Sequence, residues 1–312
     1  MGKSSRKKAR SVETTEAAPG EVGPRQPCPC GSGRRYKSCH GDPSGPPAVF
    51  NARPFGGLVG ESDLIALREF VPAATVPLKL KGSDREVLLA TLLPGAAPAL
   101  VRESGAIWLG LQVQHAYGDP SRDLAAVLAL ALEAEPGTMV GLTENPGEGP
   151  RFQDLVEDGF AVTVHDGFDF WFADVEESDG MAAVLEQANG SISPTVRLDG
   201  VDAAYWTALG EREFLRWVRP EDEDQLLDAL SRLHAAGEDH LVEGGRLIGM
   251  FRAHGVLAPV WDLPRGTGAE ALVAPVAAFA DLLASTLADA RPLTTEERSV
   301  RSGLASRQVT IR

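Results

Sequence analysis

RLIGMFRAHGVLAPVW, residues 246–261, decides how the rest of the chain is read. Arg246–His254 and Val256–Trp261 are two apolar-rich runs, with His254 at the turn and Gly255 between them. That pattern reads as a β-hairpin. Working outward, Glu270–Ala288 is a long apolar helix, and Thr294-Thr-Glu-Glu297 has the form of a helix start. Upstream, Pro220-Glu-Asp-Glu-Asp224 places proline and acids ahead of a helix over Gln225–Ala236, where negative charge complements the helix dipole. Ala203–Leu209 and Glu211–Val218 are short amphipathic segments, Thr195–Leu198 is a strand candidate and Gly180–Ala188 is helical.

The first half repeats this style. Ser62-Asp63 reads as the cap of a short helix through Phe70, and Val76–Leu80 and Glu86–Leu93 as strands. Ala99–Glu103 and Ala106–Gln114 form a hairpin around Ser104-Gly105. Asp119-Pro120 pairs an N-cap residue with proline at the first helical position, opening a helix through Leu132 that stops near Pro136-Gly137. Ala161–Val164 and Phe168–Val175 read as a further hairpin turning at Asp166-Gly167. Hairpins alternating with helices imply an α+β fold of antiparallel sheets with packed helices, not a parallel doubly wound sheet.

Five segments follow from composition. Residues 1–24 are a basic tail too poor in large apolar side chains to pack, so disorder is expected there. Residues 25–42 hold the cysteines, and 43–58 are a Pro/Gly linker. Residues 59–290 are the α+β body, with candidate lobes 59–145 and 151–290 separated by Asn145–Pro150. Residues 291–312 are a C-terminal helix and basic end.

The net charge of −14 is unevenly spread. Residues 1–40 carry nine Lys and Arg against three Glu, a balance of +6, which leaves 21 basic and 41 acidic side chains, −20, beyond. An acidic body repels nucleic acid, whereas a basic arm attracts it. No run approaches the roughly 18 apolar residues of a membrane span, and the polar start does not look like a secretory signal, so the cytoplasm is the expected compartment.

All three cysteines lie within twelve residues, in Pro27-Cys-Pro-Cys-Gly-Ser-Gly-Arg-Arg-Tyr-Lys-Ser-Cys-His-Gly41. An odd, clustered set is a poor disulfide framework and a better metal site. Cys28, Cys30, Cys39 and His40 offer three thiolates and one imidazole, a donor set that suits tetrahedral Zn2+. Four protein ligands leave no open position, so the site is structural. Pro27 and Pro29 stiffen the approach, and a module this small folds on its metal.

This segment resembles the SEC-C motif, the zinc-binding end of the tail of the SecA translocase ATPase family. Pro-Cys-Pro-Cys-Gly-Ser-Gly, the basic pair, Tyr-Lys, and Cys-His-Gly are all present. The resemblance implies Cys28, Cys30, Cys39 and His40 as zinc ligands, and contacts of the kind that module makes in SecA with a chaperone and with ribosomes. No GxxxxGK[ST] phosphate-binding loop exists, so the chain is not a P-loop motor. Through GMFRAHGVLAPVWDLP and PLTTEERSVRSGLASRQVTIR the whole chain also resembles an uncharacterised actinobacterial family with this motif ahead of a body of unknown function.

Lys7, Lys8, Arg34, Arg35 and Lys37 are candidate phosphate contacts, with Tyr36 either stacking on a base or packing on its own knuckle. Arg34, Arg35, Tyr36 and Lys37 are equally the candidate surface for a protein partner. His115 near Asp119, His165 near Asp166 and Asp169, His234 with His240, and His254 are the acid–base candidates; none has metal-ligand spacing or an adjoining nucleophile motif. Alternation in Phe168–Phe172 would put Phe168, Phe170 and Phe172 on one face and Trp171 on the other, as a buried strand or a protein-binding face among acids. The carboxylates of 221–224 read as a helix N-terminus, not a metal site. The leading expectation is a non-enzymatic zinc-binding adaptor. The alternatives are an enzyme of unknown class in the body with the knuckle as targeting tag, and a nucleic-acid binder acting through the basic arm.

Overall fold

A computed structural model describes residues 51–172 and 179–307, together with Gln26 and Tyr36. The chain divides into two units at residue 50. The basic tail, Cys28, Cys30, Cys39, His40, Arg34, Arg35 and Lys37 lie outside the described residues, as do 173–178 and 308–312.

The second unit is α+β. Its first sheet contains β1 (Ala74–Leu80), β2 (Ser83–Ala90), β3 (Ala99–Val101), β4 (Ile107–Gly110), β5 (Met139–Val140) and β6 (Thr163–Val164), in the order β5-β3-β4-β2-β1-β6. Every pairing is antiparallel except β2 with β4, where Val87 faces Ile107 and Leu89 faces Leu109. The second sheet, wholly antiparallel, contains β7 (Thr195–Arg197), β8 (Ala204–Leu209), β9 (Arg212–Trp217), β10 (Arg246–Ala253) and β11 (Val256–Leu263), in the order β10-β11-β9-β8-β7. The helices among the described residues are α1 (Glu61–Glu69), α2 (Pro120–Glu133), α3 (Phe152–Leu155), α4 (Asp179–Asn189), α5 (Glu223–Ala236), α6 (Val273–Leu287) and α7 (Thr295–Ser306).

Helix α1 is the hub. Leu64, Ile65, Ala66 and Leu67 have no exposed surface, and residues 61–67 are all buried. A helix buried on every side needs partners all round, apolar for its leucines and polar for its charged ends. One core joins it to Val76, Leu78, Val87, Leu89, Ile107 and Leu109 of the first sheet, to Leu124 and Leu128 of α2, and to Tyr205, Phe214, Phe251 and Val260 of the second sheet. The other face of the second sheet carries Trp217 and Trp261. These meet Phe279 of α6, with ring centroids 6.3 and 5.5 Å away, in a second core shared with α5 and α7. The stretch Glu270–Leu287 is long and apolar enough, by length and composition, to cross a membrane, a candidate the sequence reading did not raise. Here Leu272, Val276, Phe279 and Leu283 face that core.

Local chemistry explains the helix ends. Asp119 accepts from the Ser121 and Arg122 N–H groups with Pro120 next, as the sequence implies. Thr294 and Glu297 form a reciprocal capping box on α7. On α5 the cap is Asp222, which accepts from Asp224 and Gln225 N–H, so Pro220 stands ahead of the helix. The 254–255 turn has His254 at φ 49° and Gly255 at φ 82°, and a Cβ on Gly255 would lie 2.4 Å from the Ala52 carbonyl oxygen. Glycine is therefore required there twice over, by backbone angle and by space.

Three expectations are corrected. Ser62 and Asp63 do not cap α1; the N-cap is Gly60 at φ 83°, and both residues sit inside the first turn. Ala203–Leu209 and Glu211–Val218 form the β8–β9 hairpin, because their alternate residues face the two cores. Asp169–Phe172 is a 3-10 turn, not a strand. Phe168 stacks on Trp171 at 4.4 Å, three residues on, a contact that a period-two strand would forbid. Both are buried and pack with Ala73, the residue just ahead of β1.

Candidate functional site

Of the cysteine segment, the Tyr36 N–H donates to the Gln26 carbonyl at 2.8 Å. Among the described residues no group of three or more His, Cys, Asp or Glu could hold a metal.

The histidines are dispersed. His165 Nε2 lies 2.8 Å from Thr75 Oγ1 with its ring 4.7 Å from Phe170, and burial lowers its pKa against the pull of Asp166. His234 Nδ1 pairs with Asp239 at 2.6 Å, while His240 is exposed. His254 Nε2 pairs with Glu69 at 2.8 Å and packs edge-on against Phe55, tying the β10–β11 turn to the end of α1. Burial raises the Glu69 pKa, but the His254 bond and the charges of His254 and Arg68 outweigh it, so its carboxylate is held below the usual range. His115 stacks on Tyr117, and its carboxylate neighbour is Asp123 rather than the expected Asp119.

Arg68, His115 and Asp123 line a cavity of about 10 Å³, roughly the room of one water. Burial lowers the Arg68 and His115 pKa values and raises that of Asp123. The Asp123 carboxylate accepts from Tyr117 N–H, and Arg68 donates to the Leu111 carbonyl. This cluster anchors the α2 start to α1 and has no space for a substrate.

A larger site, missed in the sequence, surrounds the α1 N-terminus. Asp63 accepts two bonds from Arg197, both 2.9 Å, and one from the Tyr205 hydroxyl at 2.6 Å. The pairing raises the Arg197 pKa, through its Asp63 bond first. Burial, then the Asp63 charge, pushes the Tyr205 phenol well up. Arg197, Tyr205 and Arg216 stand in register across β7, β8 and β9. Arg216 lies over Phe70, 5.4 Å from its ring. Glu61 is clamped by Arg53 at 2.7 and 2.8 Å, and Arg53 also reaches the Pro220 carbonyl. Beside these pairs is a cleft of about 520 Å³ that contains no histidine. Nothing near Asp63 in sequence signals this site, because its partners Arg197 and Tyr205 lie 134 and 142 residues away.

Residues 54–312, nearly the whole of this fold, match the sequence model described as "Family of unknown function (DUF5926)". The chain belongs to that family. Ahead of the DUF5926 body, residues 25–42 match the SEC-C motif. Across 32 residues the chain is 59% identical to the protein translocase subunit SecA of Methylobacillus flagellatus, which covers 10% of this chain and 4% of that relative. The chain thus spans a small fraction of the length of the curated relative it matches. No solved structure matches.

Proposed function

We propose that this DUF5926 chain is a non-enzymatic, zinc-binding adaptor of the cytoplasm. The SEC-C match at residues 25–42 carries the reading. Cys28, Cys30, Cys39 and His40 are its zinc ligands: three thiolates and an imidazole suit tetrahedral zinc. The hydrogen bond from Tyr36 N–H to the Gln26 carbonyl is the support the described residues lend to this reading. Bound zinc supplies a cross-link that holds a segment too small for a core of its own. Between the second and third ligands, Arg34, Arg35, Tyr36 and Lys37 present a basic, aromatic edge to a chaperone or ribosome-associated protein. The tail 1–24 adds positive charge for steering.

The enzyme alternative asks for a cleft where two histidines meet a carboxylate. Among the described residues the body histidines stand apart, each with its own neighbours. The basic arm keeps RNA as the competing partner, distinguished by its salt dependence. The test is metal analysis of the full chain with affinity capture from lysate. One equivalent of zinc and a partner set lost in Cys28→Ser are expected. A metal-free protein, or identical capture by Cys28→Ser, would sink the proposal.

A further inference from the structure

The sequence contains a single Asn-Gly pair, Asn189-Gly190, and it stands where α4 ends. The Asn189 side chain ties two elements together. Its Oδ1 accepts from the Phe168 N–H at 2.8 Å, so the last residue of α4 holds the start of the aromatic turn. Gly167 makes the slot for that amide: a Cβ there would lie 3.0 Å from Asn189 Nδ2 and 2.5 Å from Asp169 Oδ2. Beyond the slot Phe168 stacks on Trp171, and the Trp171 indole N–H donates to the Leu92 carbonyl at 2.9 Å, which anchors the turn just past β2. The main chain is tied as well, since the Gly190 N–H donates to the Glu186 carbonyl at 3.0 Å.

An asparagine followed by glycine is chemically short-lived in a loose chain, because glycine has no side chain to shield its backbone nitrogen. That nitrogen gives its proton to solvent base and bonds to the asparagine Cγ. The Cγ–Nδ2 bond breaks, ammonia leaves, and a cyclic succinimide remains. Water then opens the ring at one carbonyl or the other, giving aspartate or isoaspartate. Water is the one co-reactant. Here the fold blocks the first step at both reacting groups. The Gly190 nitrogen is engaged by Glu186, and the Asn189 amide is turned towards Phe168. Solvent is nevertheless at hand, since Gly190 is exposed and Asn189 half-buried. Either product puts a new carboxylate near Asp169, where like charges repel. Isoaspartate also adds a carbon to the main chain, which displaces its oxygens from the Phe168 N–H.

We propose that Asn189 is a latched modification site, which the aromatic turn keeps in the amide form and which deamidates irreversibly when that turn opens. The test incubates the full chain at physiological temperature and mildly alkaline pH, with and without denaturing urea. Peptide mapping by mass spectrometry then measures aspartate and isoaspartate at 189. Conversion should be at least about tenfold slower in the folded chain than in urea, because two hydrogen bonds must open first. Gly167→Ala, whose added methyl presses on the amide, should speed conversion of the folded chain about fivefold, the weight of one hydrogen bond. Trp171→Ala, which removes the anchor of the turn, should speed it further. Gly167→Ala alters the slot alone, so it reads the latch even where Trp171→Ala unfolds the body. Gly190→Ala should suppress conversion in urea, since its methyl shields the nitrogen. Equal rates in the folded and unfolded chain, wild-type rates in both turn variants, or undiminished conversion in Gly190→Ala would overturn the proposal.

Discussion

Replacing Asp63 with alanine removes the acceptor of three hydrogen bonds and strands a guanidinium and a phenol against α1. Deleting one partner of a buried ion pair costs about 3–5 kcal/mol, because the survivor stays desolvated. Arg197 keeps a quarter of its side chain in solvent, which places the expectation at the lower end, about 3 kcal/mol. For a body of this size that is a drop in Tm of about 6–12 °C. The assay is thermal and urea unfolding by circular dichroism, with Arg197→Met and the double variant completing a cycle. Asp63→Ala plus Arg197→Met should cost clearly less than the two single losses together, since the second change removes the stranded charge. Strict additivity, or a loss under about 1 kcal/mol for Asp63→Ala, would refute the claim that this pair couples α1 to the second sheet.

Gly255→Ala should lower stability by about 1–3 kcal/mol, through a positive φ and a Cβ pressed on the Ala52 carbonyl oxygen; urea midpoints check this. Glu297 has its pKa lowered to about 2, by its Arg291 bond first and then by Thr294. A depressed carboxylate stabilises above its unfolded value, 4.5, and that contribution fades as the pH falls towards 2. An acid titration should therefore show Glu297→Gln converging with wild type over that window, and a constant gap would count against the capping box. Charge reversal at Arg35 and Lys37 should leave the zinc content at one equivalent while weakening partner capture, most visibly at low salt. Loss of zinc in that variant would assign these residues to the knuckle's fold instead.

Some of this architecture is readable from short windows and some is not. The Asp119-Pro120 and Thr294–Glu297 helix starts are local chemistry, with donor and acceptor within three residues, and both are observed. The turn at His254-Gly255 is equally local. Ser62-Asp63 obeys the same capping rule and fails it, because Arg197 and Tyr205 recruit Asp63 from 134 and 142 residues away. No window rule sees a partner at that distance. The Phe168–Phe172 run misleads for another reason: its aromatics satisfy alternation on paper, yet stacking Phe168 on Trp171 favours a tight turn. The SEC-C motif was legible because all of its residues lie close together in sequence, and residues 25–42 match it. The α1 cleft was invisible, since its walls come from segments near residues 60, 160, 200 and 218.

The enclosed position of α1 has a consequence for how the chain is made. Synthesis proceeds from the N-terminus, so this enclosed helix emerges long before the strands that cover it. Arg197 follows Asp63 by 134 residues, which at roughly 5–20 residues per second is about 7–27 s of elongation. Through that interval Leu64, Ile65 and Leu67 lack the part of their native shelter that the second sheet supplies. A stalled or truncated nascent body of this protein is therefore a natural client for holdase chaperones, and the residues that bring that vulnerability to an end are Arg197 and Tyr205.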